Sequence, residues 1–105
     1  SIHFTKISQI LAAFEPCGPG NLHPIFITKN CYIQSMRVLK EAHLKLVLVQ
    51  DGALIALDAI GFQMAHFESQ LAEGVAIDIV FQITSNTYRS KTTLQLLIQD
   101  LCLSA

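Results

Sequence analysis

All three prolines of this chain and two of its five glycines fall in one run, Glu15-Pro16-Cys17-Gly18-Pro19-Gly20-Asn21-Leu22-His23-Pro24-Ile25-Phe26. Proline fixes φ and removes a backbone donor, while glycine permits φ > 0, so no helix continues through such a run. It is a joint between two kinds of structure. Before it, Ile7, Ile10, Leu11 and Phe14 recur at i, i+3, i+4 and i+7, which predicts a helix over Thr5–Phe14 with one apolar face. After it, the chain reads as strands with one short helical interruption.

The first strand segment runs from Ile25 to Met36 and breaks near Lys29-Asn30, which predicts a bend or bulge. A polar turn follows at Lys40-Glu41-Ala42. From His43 to Gln50 the pattern alternates: Leu44, Leu46 and Leu48 share one face, and His43, Lys45, Val47 and Val49 share the other. Asp51-Gly52 is a hairpin signal, and Leu54–Phe62 reads as the return strand, with Ile55, Leu57 and Ala59 opposite Asp58. Met64, Phe67 and Leu71 give Gln63–Glu73 a helical spacing that Gly74 closes. Val75–Ile83 is the clearest strand by alternation. Ser85–Lys91 reads as a polar loop, and Thr92–Leu103 as the last strand, with Leu94, Leu96 and Ile98 on one face.

Five strands with a helix between the third and fourth is the order of an OB-fold, a partly open Greek-key barrel. The expected architecture is therefore mainly β: a five-stranded OB barrel with an N-terminal helix. A mixed sheet carrying two helices on one face is the alternative. Residues 1–14 are read as a helix leading in from an upstream domain, 15–24 as the joint and 25–105 as the barrel domain.

The length of 105 residues suits one domain with one core. Only 14% of residues are charged, against roughly a quarter in an average domain. The surface is thus charge-poor, and the net charge of -1 provides no global attraction to nucleic acid. Any such binding requires a local basic patch. Cys17, Cys31 and Cys102 are odd in number and widely spaced, and no Cys/His spacing suits zinc. We read them as reduced, mostly buried thiols of a cytoplasmic protein. No apolar run approaches the ~18 residues of a membrane span, so no membrane association is expected.

Four segments, taken together and in order, resemble the C-terminal OB-fold domain of RecJ, the bacterial single-strand-specific DNA exonuclease. They are the Glu15–Phe26 joint, Ala42-His43-Leu44-Lys45-Leu46, Leu57-Asp58-Ala59-Ile60-Gly61-Phe62, and Asn86 through Leu94-Gln95-Leu96-Leu97. The chain departs from the family where Cys17 replaces Phe, Leu22 replaces Pro, and Ser90 stands where Gly is frequent. The resemblance implies a parent that degrades single-stranded DNA from the 5′ end in DNA repair and recombination. It also implies that the catalytic Asp-His-His motif and its Mg or Mn lie in upstream domains. None of that motif occurs here, so the fragment is expected to hold no cofactor and to have no nuclease activity. Its expected partners are single-stranded DNA, the catalytic domains of the same polypeptide, and other repair proteins.

The candidate DNA-binding residues form two groups. Arg37, Lys40, His43 and Lys45 cluster on the second strand and the turn before it, diluted by Glu41. Tyr88, Arg89 and Lys91 occupy the segment between the last two strands. Single-stranded DNA binding calls for cations along the phosphates and flat groups against bases, and OB-folds carry these on strands 2 and 3 and the flanking loops. The plainer reading of both groups is a solvated turn and hairpin tip. Phe26, Tyr32 and Phe62 read more readily as core than as stacking residues. Asp58, alone on its face, forms neither an acid-base pair nor a metal site. No phosphate loop, catalytic triad or Cys-His dyad is present. Two functions follow: a single-stranded DNA-binding module, or a structural module that packs on the catalytic domains. The low charged fraction favours the second, and the basic cluster favours the first.

Overall fold

The computed structural model describes residues 2–6, 24–53 and 55–105, with the side chains of 86–88 and 92 excepted. Most of the expected helix over Thr5–Phe14, and the joint as far as His23, lie outside the described residues. So does Cys17.

Five strands close into a barrel in the order β1-β2-β3-β5-β4. They are β1 (Ile25–Leu39), β2 (His43–Val49), β3 (Leu57–Gly61), β4 (Ala76–Tyr88) and β5 (Lys91–Leu103). All pairings are antiparallel except β3 with β5, which is parallel. This is the OB arrangement expected above, and closure leaves no sheet edge.

Strand β1 closes the barrel by pairing with β4 through its first half and with β2 through its second. It can do so because it is kinked twice. Register shifts fall between Thr28 and Cys31 and again between Ile33 and Ser35. Each extra residue reverses the strand's alternation. The inward side chains are therefore Phe26 and Thr28, then Cys31 and Ile33, then Met36 and Val38. The first kink is the break expected at Lys29-Asn30, where Asn30 sits at φ 58°. The second carries no turn residue, so nothing in the sequence marks it.

The lumen is filled by Leu44, Leu46 and Leu48 of β2, Leu57 and Ala59 of β3, Ile77, Ile79 and Phe81 of β4, and Leu96, Ile98 and Leu101 of β5, all buried. At the end where β2 enters its loop, residues 2–6 clasp the barrel. The Ile2 N–H donates to the Ile27 carbonyl at 2.7 Å, and the Thr28 hydroxyl donates to the Ile2 carbonyl at 2.6 Å. The Phe4 N–H donates to the Gln50 side chain at 2.8 Å, and the Phe4 ring is fully buried in the core. At the other end the Ala65 N–H donates to the Ala42 carbonyl at 3.1 Å, and Met64 and Leu71 are buried.

Four local expectations change. The segment Gln63–Glu73 forms a 3-10 helix over Ala65–Gln70 only. Its span is too short for a stable α-helix without tertiary support. Strand β3 begins at Leu57 rather than Leu54, because β2 pairs with it only from Leu48 onward. Ile55 consequently lies outside the ladder and is exposed. Ser85–Lys91 is a hairpin rather than a loop: β4 and β5 pair up to Tyr88↔Lys91, leaving a two-residue turn at Arg89-Ser90. Both residues have positive φ, 51° and 64°, as a type I′ turn requires. Finally, Cys102 is exposed, although Cys31 is buried. A register shift opposite Val80/Phe81 reverses the alternation of β5 between Ile98 and Leu101 and turns Cys102 outward.

Candidate nucleic-acid interface

The outer face of β2 and its neighbours is assembled by register. Arg37 on β1 is the direct partner of Lys45 on β2, and Lys45 is the partner of Ile60 on β3. Ile60 pairs in turn with Leu97 on β5. Further along, Leu39 stands opposite His43. Two cations placed directly opposite on one face destabilise a sheet. Among the described residues no carboxylate forms an ion pair with Arg37, Lys40 or Lys45. The fold thus tolerates an uncompensated positive pair on an otherwise charge-poor face.

Next to this pair lies an exposed ring. Phe62 is 54% exposed. Its outward direction has a local cause. Gly61 packs so tightly that an added Cβ would come within 2.5 Å of the Met64 sulfur, and Met64 takes the core position. Gln63, at φ 59°, then turns the chain sharply. Phe62 meets the His43 ring edge-on, with centroids 5.1 Å apart and planes at 78°. The Gln63 N–H donates to His43 Nδ1 at 3.2 Å, which fixes that ring as well.

Toward the other end of the face, Val47 pairs with Asp58, and Asp58 pairs with Gln95. Asp58 is exposed, and Val47 and Gln95 are half-buried. The centre of the face therefore carries one apolar side chain, one carboxylate and one amide, and no cation.

The seven expected residues keep their two groups, and the structure sets these groups apart. Arg37, Lys40, His43 and Lys45 gather around the β1–β2 turn, where Lys40 and Glu41 take φ of 52° and 58°. Arg89 and Lys91 are exposed at the β4–β5 tip, where the backbone of Tyr88 pairs with that of Lys91. Along β5, Lys91 lies about 20 Å from Leu97, the residue level with Lys45, at ~3.3 Å per residue. The two basic groups thus bracket the face from opposite ends. Phe62 reads as core in the sequence, because aromatic residues on strands are usually buried, and the structure corrects this. Gly61 directly before it is the available signal for a sharp change of direction.

On the far side of the barrel the polar groups are satisfied. Asp78 accepts from the Ser104 hydroxyl at 2.6 Å and from the Asn30 N–H at 3.0 Å. These bonds, together with the Lys29 charge, hold its carboxyl below the usual range. Burial pushes the Cys31 thiol up to about 12, with the Asp78 charge adding to it, so this cysteine is inert at neutral pH. A shallow groove of about 220 Å³ is lined by residues that include Ile27, Asp78, Val80 and Cys102.

The profile of the RecJ OB domain matches residues 3–100 of this chain. The chain belongs to the RecJ OB domain family. Its fold is similar to that of a mitochondrial single-stranded DNA binding protein from S. cerevisiae, with a TM-score of 0.63 and 11% identity, over 78% of this chain and 94% of that one. It is also similar to RecJ from Thermus thermophilus, solved in complex with Mn2+, with a TM-score of 0.57 and 20% identity, over 96% of this chain and 14% of that one. Aspartyl tRNA synthetase from Entamoeba histolytica matches with a TM-score of 0.63 and 11% identity, over 86% of this chain and 20% of that one. Identities this low establish the fold alone. No curated protein sequence matches the chain. Among the described residues of this RecJ OB domain, no group of three or more His, Cys, Asp or Glu side chains comes together that could hold a metal ion. No helix among them is long and apolar enough to cross a membrane.

Proposed function

We propose that this chain is the single-stranded DNA-binding accessory domain of a longer RecJ-like 5′-3′ exonuclease of DNA repair and recombination. The observation that carries this reading is the outward Arg37–Lys45 pair, two cations set opposite each other on the face of a RecJ-family OB barrel. Such a pair costs stability in the free domain and gains a use when a phosphate lies between its members. Arg89 and Lys91 supply a second basic point at the far end, so a strand crossing the face is held near both ends. Binding driven in this way weakens with salt and shows little sequence preference.

The chemistry of the parent belongs to this reading too. Catalysis, with Mg or Mn, takes place in domains upstream of the barrel, in a cytoplasmic enzyme, and this domain feeds it substrate. A salt titration of labelled oligo(dT) binding to the chain tests the reading. Removing one cation that meets a phosphate should lower the slope of log affinity against log salt by about 0.7. Arg37→Ala, Lys45→Ala and Arg89→Ala should each reduce affinity and slope. Unchanged slopes in all three variants would remove these residues from the site.

The far side favours a second role. Ile25 and Ile27 are 61% and 49% exposed, and Ile27 lines the shallow groove. Exposed apolar residues grouped in this way suit packing against another domain. The catalytic domains of the same polypeptide are the partner of first choice, and other repair proteins come after them.

A further inference from the structure

We infer that Phe62 is the base-stacking position of this domain, the point where a nucleobase of the bound strand lies flat against the protein. The inference rests on the DNA-binding reading above and deepens it from phosphate contacts to base contacts. Four observations converge on it. Phe62 is 54% exposed on the outer face, while neighbouring Met64 takes the core position. The ring is not loose: the His43 ring braces it edge-on at 5.1 Å, and the Gln63 N–H holds His43 in place. The Arg37–Lys45 pair lies within one or two strand positions, since His43 extends the register that places Lys45 beside Ile60. A strand whose phosphate meets that pair brings its adjoining base over Phe62.

The fourth observation concerns the middle of the face. Val47 and Gln95 are half-buried and uncharged, and Asp58 between them is an exposed carboxylate. A phosphate backbone laid there would meet no cation and one negative charge. The favourable arrangement therefore turns bases toward the protein and leaves phosphates outward, except at the two basic ends. A preorganised aromatic ring at the border of such a track is where stacking gains most, because the ring loses little freedom on binding.

The test compares oligo(dT) with an oligonucleotide of the same length and charge that carries abasic residues. Wild-type protein should prefer the base-bearing strand. Phe62→Ala should weaken oligo(dT) binding by about tenfold, the low-to-middle range for removal of one base stack, with the salt slope unchanged. It should also erase most of the preference over the abasic strand. Phe62→Leu keeps an apolar side chain but removes the π-face, so it should behave like Phe62→Ala. Phe62→Trp should restore binding. Thermal denaturation of each variant checks that the fold persists, and Phe62→Leu stands in if Phe62→Ala unfolds. Wild-type affinity in Phe62→Leu, alongside weakened binding in Arg37→Ala, would overturn this inference and leave the DNA-binding reading intact. Failure of the wild-type chain to bind any oligonucleotide at low salt would overturn both.

Discussion

Strand β1 serves two faces of the barrel, and its two halves are built differently. The half paired with β4 satisfies its polar groups. The Thr28 hydroxyl reaches the Ile2 carbonyl, the Asn30 N–H reaches Asp78, and Cys31 is fully buried. The half paired with β2 sets Arg37 against Lys45 and faces an exposed Phe62 across β2. The first half follows the local rules of stability, and the second breaks one. Such violations gather where a protein meets a ligand, because the missing partner comes from outside. One side of the barrel thus holds the fold, and the other is the side proposed to meet DNA.

The largest effect that would break this division comes from the clasp. Phe4→Ala empties a fully buried position and should cost about 3–5 kcal/mol. Thermal or urea denaturation measures the cost, and oligonucleotide binding of the remaining folded fraction should be unchanged. A fall in affinity at full foldedness would show that the clasp acts on the proposed binding face.

Acid should weaken the far side next. The Asp78 carboxyl is held below its usual range by Ser104, Asn30 and Lys29. Its contribution is therefore complete above the unfolded-state value of about 3.9 and disappears as pH falls through the lower folded value. Asp78→Asn should lower the melting temperature at pH 7 and flatten its decline below about pH 4. Because the group is largely open to solvent, we expect an effect of about 1 kcal/mol or less. An identical acid profile in the variant would remove Asp78 from the account.

The hairpin tip offers a smaller gain. Ser90 adopts φ 64° without being glycine. Ser90→Gly should stabilise the domain by about 0.5–1 kcal/mol, because the left-handed region is strained for residues with a Cβ. A lower melting temperature would mean that the serine side chain contributes more than the backbone strain costs.

The smallest effect on stability sharpens the comparison most. Arg37→Ser removes one member of the like-charge pair, so the fold should become more stable by a few tenths of a kcal/mol. The same change should weaken oligonucleotide binding and lower its salt slope. Stability and binding moving in opposite directions would mark the pair as functional. A decline in both would make Arg37 a structural residue.

Much of this is legible along the chain. The alternation of Leu44, Leu46 and Leu48, and of Ile77, Ile79 and Phe81, places these residues in the core whatever surrounds them. The break at Lys29-Asn30 is readable because asparagine tolerates positive φ. The kink at Ile33/Ser35 and the one that exposes Cys102 are not, because an extra residue inside a pairing has no composition of its own. The two basic groups are legible, but their placement at opposite ends of one face is not. Strand register, rather than sequence distance, decides it.

By itself the sequence determined the number of strands and the inward faces of β2 and β4, because side-chain alternation is a local property, and four ordered segments carried the resemblance to the family. Tertiary structure alone decided that Arg37 faces Lys45, that Phe62 is braced outward by His43, and that Phe4 fills one end of the barrel. These are contacts between segments separated in the chain. They exist only once barrel closure and the two kinks of β1 set which residues stand side by side.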